Sequence, residues 1–398
     1  MKVIIFISAI VVFLMSGCVG NRQTDIRHDS VFTVDVTKSY PKKELILQDF
    51  MDVEYIPLEV NDEYVTTGWL HAISDEIIIV RTRIQTTDRS VVGTIYLFDR
   101  NGKGLRKINH AGEGPEEYQF LLSITLDEDN DEIFVNDHFS RKISVYDLFG
   151  KFKRSFAHRE DGRGFYTEGI YNFDREHLLC RFIFGEGRNK YFVISKQDGS
   201  VAKEIEIPYT EKISSDVYKR DAEGQIMGGM PIRNRSLVPH PDNSWMLMEE
   251  SSDTIYRLMP DYSMIPLLVR TPSIQSMNPG VFLYPAVFTD RYCFMQTVKA
   301  EWNWDTNTGH ERVNLMYDRQ ENAIYECEVY NADFTVKEPV LMTSEIPFGN
   351  NEIACVHILE AYKLVEFYKK GQLTGKLKEI AAGLNEESNP VIMLVKYK

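Results

Sequence analysis

The chain has 398 residues, of which 43% are hydrophobic, so it has enough apolar side chains for a large core. Its 45 basic and 59 acidic residues give a formal net charge of −14. An acidic chain has no general attraction for phosphate backbones, so we expect no nucleic-acid partner. With 24 glycines and 15 prolines, the composition excludes a collagen-like or low-complexity protein.

The N-terminus reads as a targeting segment. Lys2 precedes an apolar run of 13 residues, 3–15, which is the length of a signal-peptide core and shorter than the roughly 20 residues of a membrane-spanning helix. Small residues then precede Cys18, as in a bacterial lipobox. We therefore predict a signal peptide over 1–17 and a lipid anchor on Cys18; an ordinary secretory signal is the alternative.

The segment that follows the anchor is polar. We predict a flexible tether over 18–30 and a folded domain over 31–398. Within the tether, Asp29-Ser30-Val31 is similar to an O-glycosylation acceptor, which predicts modification of Ser30.

Four further cysteines are far apart in the chain and lie among apolar residues. This pattern predicts buried free thiols. Disulfides are the alternative, because the cell envelope permits them. They are Cys180, Cys293, Cys327 and Cys355.

One unit recurs along the chain: an alternating apolar strand, a turn with Asp, Asn or Gly, and a second strand. Asp99, Asp147 and Ser195 occupy equivalent places and are 48 residues apart. A period of 40–50 residues of strand and turn is typical of a β-propeller with four strands per blade, whereas a sandwich does not explain it. The copies are residues 95–103, 143–151, 191–199, 255–261 and 315–322.

The two ends of the domain predict how the ring closes. Residues 390–397 look like the third strand of a sixth unit, and residues 32–36 form an unassigned strand that could complete that blade. Helical spacing from Ile358 to Tyr368 interrupts the strands. The predicted fold is thus all-β: a six-bladed β-propeller with an N-terminal strand closing the last blade and a helical insertion, about 352–385, near the C-terminus.

Residues 110–118 read HAGEGPEEY, and strands with the sequences IFVND and RKISVYD follow. This stretch resembles the NHL-like repeat of six-bladed β-propeller lipoproteins of Bacteroidetes, although Glu116 stands where that pattern has Gly. The resemblance implies the fold and an envelope location. It favours an outer membrane lipoprotein on the periplasmic side, because the residues after Cys18 lack an acidic export run; the cell surface is the alternative.

Several residues are candidates for ligand contacts. Trp302 and Trp304 are two apart on a predicted strand beside polar residues, so both rings could stack on sugars. His110, Glu113 and Tyr118 lie in the glycine-rich loop. For each group, packing between blades is the alternative, and we expect Asp137 and Arg141 to brace a turn.

No nucleophile or metal motif is evident, so we predict no catalytic residue and no cofactor. The predicted function is an envelope-anchored binding or scaffold module for a glycan, a peptide or a partner envelope protein, attached to the membrane through acylated Cys18. The alternative is a metal-assisted propeller enzyme of the lactonase or lyase type, with a divalent metal held on the axis by side chains from several blades. The oligomeric state is not predicted.

Overall fold

A computed structural model describes most of the domain. The signal peptide, the tether, Cys18 and Ser30 lie outside the described residues, so the predictions made on them stay predictions. The described residues are 31–82, 93–158, 165–183, 189–343 and 352–398.

The described strands form six sheets arranged as the blades of a propeller. The first strands of blades 1 to 3 contact their neighbours in turn, as do those of blades 4 to 6, which places them at the central axis. Blades 1 to 3 each have four antiparallel strands in sequence order. These are Trp69–Ile73, Ile77–Arg81, Thr94–Asp99 and Gly104–Asn109; Leu121–Asp127, Glu132–Asp137, Lys142–Asp147 and Phe152–Ala157; and Phe165–Asn172, His177–Ile183, Asn189–Ser195 and Val201–Ile205.

Blades 4 and 5 have the same four-strand order, with a further strand added at the outer edge of each. Two short hairpins project from this half of the ring. The blade strands are Leu237–Pro239, Trp245–Leu247, Thr254–Leu258 and Met264–Thr271; and Val281–Phe288, Tyr292–Lys299, Arg312–Asp318 and Ala323–Tyr330. The hairpins are Val217–Arg220 with Ile226–Met230, and Trp302–Asn303 with Thr308–Gly309.

Each blade buries both faces, because an apolar cluster lies at every junction between neighbours, including the junction of blade 6 with blade 1. The alternation within one strand shows how. Phe134 packs toward blade 3, whereas Ile133 and Val135 pack toward blade 1. The six-bladed ring predicted from the 48-residue period is therefore confirmed, and the five repeated segments supply the third strands of blades 1 to 5.

The two ends of the ring differ because neighbouring strands run in opposite directions. Connections between first and second strands, and between third and fourth strands, lie at one end, which we call the lower end. Connections between second and third strands, and the crossings between blades, lie at the upper end. The upper end therefore carries residues 300–311, and the lower end carries residues 128–131 and 240–244.

The repeated turn between third and fourth strands has one geometry in blades 1 and 2. The Asp99 carboxylate accepts hydrogen bonds from the amides of Asn101 and Lys103 at 2.8 and 2.9 Å, and Asp147 does the same for Phe149 and Lys151 at 2.8 Å. The residue before the second donor, Gly102 or Gly150, has a left-handed backbone conformation and lies next to a neighbouring blade. Glycine adopts this conformation without strain.

These turn glycines lie against the outer strand of the preceding blade. A Cβ on Gly102 would lie 2.1 Å from the carbonyl oxygen of Pro57, and one on Gly150 would lie 3.0 Å from the Ile108 side chain. Both residues have positive φ, 81° and 86°. The glycine in the repeat thus permits the close approach of one blade to the next.

Arginines on the fourth strands connect the same blades by hydrogen bonds. Arg106 donates to the Leu148 carbonyl at 3.0 Å, and Arg154, 48 residues later, donates to the Lys196 carbonyl at 2.7 Å. The acceptors are also 48 residues apart, so the repeat includes the contacts between blades as well as the strands.

The N-terminal segment corrects the predicted closure. Phe32–Asp35 does not join the last blade; it lies parallel to Met264–Thr271 at the outer edge of blade 4. Lys42–Ile46 then lies parallel to Ala323–Tyr330 of blade 5. An N-terminal strand does close the ring, but it is Met51–Pro57.

Blade 6 has three described strands, in the order Ile353–Leu359, Val391–Tyr397 and Met51–Pro57. The last strand of the chain is therefore the middle strand of its blade, not the third as predicted. Val391 pairs with Pro57 and Tyr397 with Met51, so the closing strand is antiparallel to the C-terminal strand over its full length.

The helical insertion near the C-terminus is confirmed between the first two strands of blade 6. Its helices, Ala361–Lys369 and Gly375–Ala381, bury Leu364 and Leu377 in the cluster between blades 5 and 6. Ile358, which we assigned to the helical stripe, instead lies in the strand Ile353–Leu359. A third helix, Leu47–Phe50, leads into the closing strand.

The four described cysteines are buried free thiols, as their apolar neighbours predicted. Burial raises the pKa of Cys327 and Cys355 to about 12. These thiols are therefore protonated at neutral pH and act as core side chains.

Replacing Gly102 with Ala is expected to lower the melting temperature. The added methyl group overlaps a backbone carbonyl, and the left-handed conformation costs an L-residue about 1–2 kcal/mol by itself. Gly224→Ala is the matched control, since Gly224 has a φ of 84° and no atom within 4 Å of the place that an added methyl group would occupy. We expect a clearly smaller loss for the control by thermal unfolding; equal losses would contradict the role of close approach.

Two truncations should separate the edge strands from the closing strand. A chain that begins at Gln48 lacks both edge strands but keeps Met51–Pro57, so we expect a lower melting temperature and a folded monomer. A chain that begins at Leu58 exposes the edge of blade 6 and should unfold or aggregate. Circular dichroism and light scattering measure both effects, and similar stability of the two truncations would refute the closure described above.

Candidate functional site

Trp302 and Trp304 lie at the upper end, in the hairpin between the second and third strands of blade 5. Trp302 is on the short strand and Trp304 is in the turn, so the predicted common strand is only partly present. Their ring centres are 6.4 Å apart, with the planes at 61°. Asn303 holds the turn by accepting hydrogen bonds from the amides of Asp305 and Thr306 at 3.0 and 3.1 Å.

This pair forms one wall of an open groove with a volume of about 870 Å³. The hairpin Val217–Arg220 with Ile226–Met230 supplies the other wall. Lys219 places its Nζ 5.9 Å from the Trp304 ring centre, and Tyr218 lines the groove. Sequence reasoning missed this second hairpin, although its exposed Ile226 and Met227 stand out as apolar residues beside a Gly-Gly pair.

The polar residues of the groove come mainly from the tryptophan hairpin. Their carboxylates and amide lie beside the aromatic rings, where they could bind hydroxyl groups. They are Glu301, Asn303, Asp305 and Glu311.

The glycine-rich loop crosses from blade 1 to blade 2. His110 stacks on Tyr146 at 4.9 Å and its Nε2 is 2.7 Å from the Gly150 carbonyl, while Tyr118 is 1% exposed and donates to the Gly93 carbonyl at 2.6 Å. Glu113 is exposed and does not line the groove. These contacts give His110 and Tyr118 a role in packing; the structure does not bring the loop together with the tryptophans.

Asp137 braces the turn after its strand, as predicted. It is buried, and its carboxylate accepts hydrogen bonds from the Gln119 amide at 2.7 Å and the Ser140 hydroxyl at 2.6 Å. Arg141 in the same turn has a φ of 49°. The carboxylate is therefore engaged by the surrounding turn and is not directed at a ligand.

A second cavity, of about 360 Å³, lies at the axis and was not predicted. The first strands of blades 1 to 3 and part of blade 4 line it, and the exposed turns at the lower end surround its mouth. Register shifts occur in the first strands of blades 1, 2 and 3, and each places extra residues beside the axis. His71 is the extra residue in blade 1.

Polar contacts between blades 2 and 3 shape one wall of this cavity. The Thr125 hydroxyl donates to the Ile170 carbonyl, Asn172 donates to the Leu126 carbonyl at 2.6 Å, and Lys196 pairs with Asp127 at 2.8 Å. Because these contacts satisfy the backbone at the bulge, the wall is a fixed part of the ring.

Three buried polar atoms of cavity-lining residues have no hydrogen-bond partner among the described residues. They are His71 Nε2, Ser123 Oγ and Asn172 Oδ1. Burial, together with the positive charges of Arg81 and Arg235, holds the pKa of His71 well below 6.5, so the ring is neutral at pH 7. Buried polar atoms normally have partners, so these atoms are available to a ligand or to water.

The described residues contain no group of three or more His, Cys, Asp and Glu side chains placed to hold a metal ion. Within the same residues, no helix has the length and apolar character needed to cross a bilayer.

Comparison with known families gives one match, to a domain of unknown function, DUF4934, over residues 31–396. The chain belongs to the DUF4934 family. No curated protein matches its sequence at a significant level.

Several solved structures are similar to this DUF4934 chain, and the first named here shares its fold. One is a protein of Bacteroides fragilis named as exported, with a TM-score of 0.58 and 14% identity, covering 93% of this chain and 100% of its own. A member of the DUF4221 family from Bacteroides vulgatus has a TM-score of 0.49 and 12% identity, covering 88% and 97%. The resemblance to a Bacteroidetes propeller family is thus confirmed.

Virginiamycin B lyase from Staphylococcus aureus is also similar, with a TM-score of 0.33 and 12% identity, covering 87% of this chain and 100% of its own. At that score the likeness says nothing about the chemistry of this chain.

Proposed function

We propose that the chain is an envelope-anchored binding module that holds a glycan in the groove between the two upper hairpins. The observation that carries this proposal is the pair of tryptophan rings, 6.4 Å apart, on a groove wall beside carboxylate and amide side chains. Apolar faces of sugar rings stack on such aromatic surfaces, and polar neighbours bind the hydroxyl groups.

The dimensions of the groove agree with this ligand. A volume of about 870 Å³ is within the range of sites that hold drug-sized molecules, and the groove is open to solvent along its length. Lys219 beside Trp304 adds a positive charge on the facing wall, opposite the carboxylates of the tryptophan hairpin.

Envelope anchoring is supported by the N-terminal sequence and by the name of the similar Bacteroides fragilis protein. The apolar run, the small residues and Cys18 stand in the order of a lipobox. We propose an outer membrane lipoprotein that faces the periplasm. Nothing among the described residues favours the metal-assisted enzyme.

A glycan array with the full-length protein tests the ligand class. Trp304→Ala should weaken binding of any glycan that the wild type retains by about tenfold, since stacking of an aromatic ring contributes on the order of 1 kcal/mol or more. Phe149→Ala is the matched control, because Phe149 is a highly exposed aromatic residue at the lower end. Binding of peptides but not glycans, or equal loss in both variants, would contradict the proposal.

Replacing Cys18 with Ala should release the protein from membranes, because it removes the residue that carries the lipid. Membrane fractionation and palmitate labelling measure the change. Labelling that persists in the variant would show that Cys18 is not the anchor.

A further inference from the structure

A buried positive charge lies beside the axial cavity, behind Trp69, and no described carboxylate pairs with it. Arg81 ends the second strand of blade 1 and is 1% exposed. Its guanidinium carbon lies 4.2 Å from the centre of the Trp69 ring, and its Nε and Nη1 have no hydrogen-bond acceptor among the described residues. Trp69 in turn lines the cavity, 5.6 Å from the ring of His71.

Arg235 reaches the same cavity from the segment that precedes blade 4. Its Nη1 donates to the Tyr171 hydroxyl at 2.7 Å, and no described carboxylate lies within ion-pair distance of it. The three cationic or polar groups Arg81, His71 and Arg235 therefore converge on one side of the axis.

The other buried cations among the described residues all have a carboxylate partner, so Arg81 is an exception, whereas Arg235 is only partly buried. Lys196 pairs with Asp127 at 2.8 Å and Arg270 with Asp253 at 3.3 Å. Arg181 lies 3.9 Å from Glu250, and Arg257 pairs with Asp242.

An unpaired buried charge is costly for a folded chain, since desolvation of an ion in a protein is strongly unfavourable. Burial lowers the pKa of Arg81 to about 10, so the side chain remains charged at neutral pH. A bound anion would remove that cost, whereas water in the cavity would do so only in part.

We propose that the axial cavity binds a small organic carboxylate through Arg235 and His71, with the positive charge of Arg81 acting from behind Trp69. A guanidinium presents paired N–H donors that match a carboxylate, and Ser123 and Asn172 can bind polar groups on the rest of the ligand. Trp69, Tyr171 and Trp245 supply apolar walls for its body. This site lies on the axis, shares no lining residue with the tryptophan groove and does not depend on the proposed function.

The acidic residues near the mouth do not oppose this assignment. Glu128 and Asp129 are exposed at a turn, where solvent and salt screen their charges, and Asp174 is held by His177 at 2.9 Å. Arg81 is shielded from water, so its charge is screened less than theirs.

Thermal unfolding of the full-length protein in acetate, glucuronate and citrate, against chloride at equal ionic strength, tests the proposal. At least one carboxylate should raise the melting temperature in a saturable way, and its affinity is then measured by calorimetry. Glucose is the neutral counterpart of glucuronate and should have no effect. The proposal is overturned if no carboxylate stabilises more than chloride, or if glucose matches glucuronate.

Arg235→Gln should weaken carboxylate binding by about 10- to 100-fold, as expected for a lost hydrogen bond to a charged group. Arg233→Gln is the matched control, because Arg233 is exposed on the same segment and does not line the cavity. Equal affinities of the two variants would overturn the assignment.

Arg81→Met distinguishes a binding role from a structural one. If its charge serves a ligand, the variant binds the carboxylate more weakly while the ligand-free protein melts at the same temperature or higher, because an unpaired charge has been removed. A fall of several degrees in the ligand-free variant would instead reveal a structural partner for Arg81 and refute the proposal.

Discussion

The close approach of each blade to its predecessor is the constraint on which the ring depends. Where the turn between third and fourth strands meets the preceding outer strand, there is no space for a side chain: Gly102 faces Pro57 and Gly150 faces Ile108. The contact of Gly102 with Pro57 lies at the junction of blade 6 with blade 1, where the ring closes. A glycine at the same position of the repeat therefore allows close approach both there and between blades 1 and 2. Arg106 and Arg154 connect the neighbouring turns at the same 48-residue period. A sequence repeat in this chain is therefore a repeat of contacts between blades.

That equivalence explains how far the fold could be predicted from sequence. The period, the six blades and closure by an N-terminal strand all follow from alternation and turn residues, because each blade needs the same local pattern. The identity of the closing strand does not follow. Phe32–Asp35 and Met51–Pro57 both alternate, and a strand pattern shows which side chains are buried without showing which edge they pair with. Val34 is fully buried although its strand only extends the edge of blade 4, so burial would not have distinguished the two. In this chain, blades 4 and 5 each carry a parallel strand at the outer edge.

The two candidate sites likewise differ in how far they could be predicted from the sequence. The tryptophan hairpin was predictable because its aromatic and polar residues are adjacent in sequence. The axial cavity was not, because His71, Ser123, Tyr171 and Arg235 come from four separate parts of the chain and meet only when the ring forms. A signal was nevertheless present: Arg81 ends the run Ile77-Ile78-Ile79-Val80, and His71 interrupts an otherwise apolar first strand. A charged residue in a strand that is buried on both faces conflicts with its local pattern, and such conflicts tend to mark function.

The free-energy cost of burying the Arg81 guanidinium without a partner is large for a single residue. The free energy of unfolding of a domain is only about 5–15 kcal/mol, and an unpaired buried guanidinium lowers it by several kcal/mol. The chain tolerates this because stability comes mainly from apolar clusters at the six junctions between blades, which do not involve Arg81. The bulges that direct His71 inward lie in the first strands, where one neighbouring strand instead of two fixes the register. At the axis, an extra side chain such as His71 therefore disturbs few strand pairings. Arg81 lies in the second strand, between two neighbours, and its charge is placed against Trp69 of the first strand.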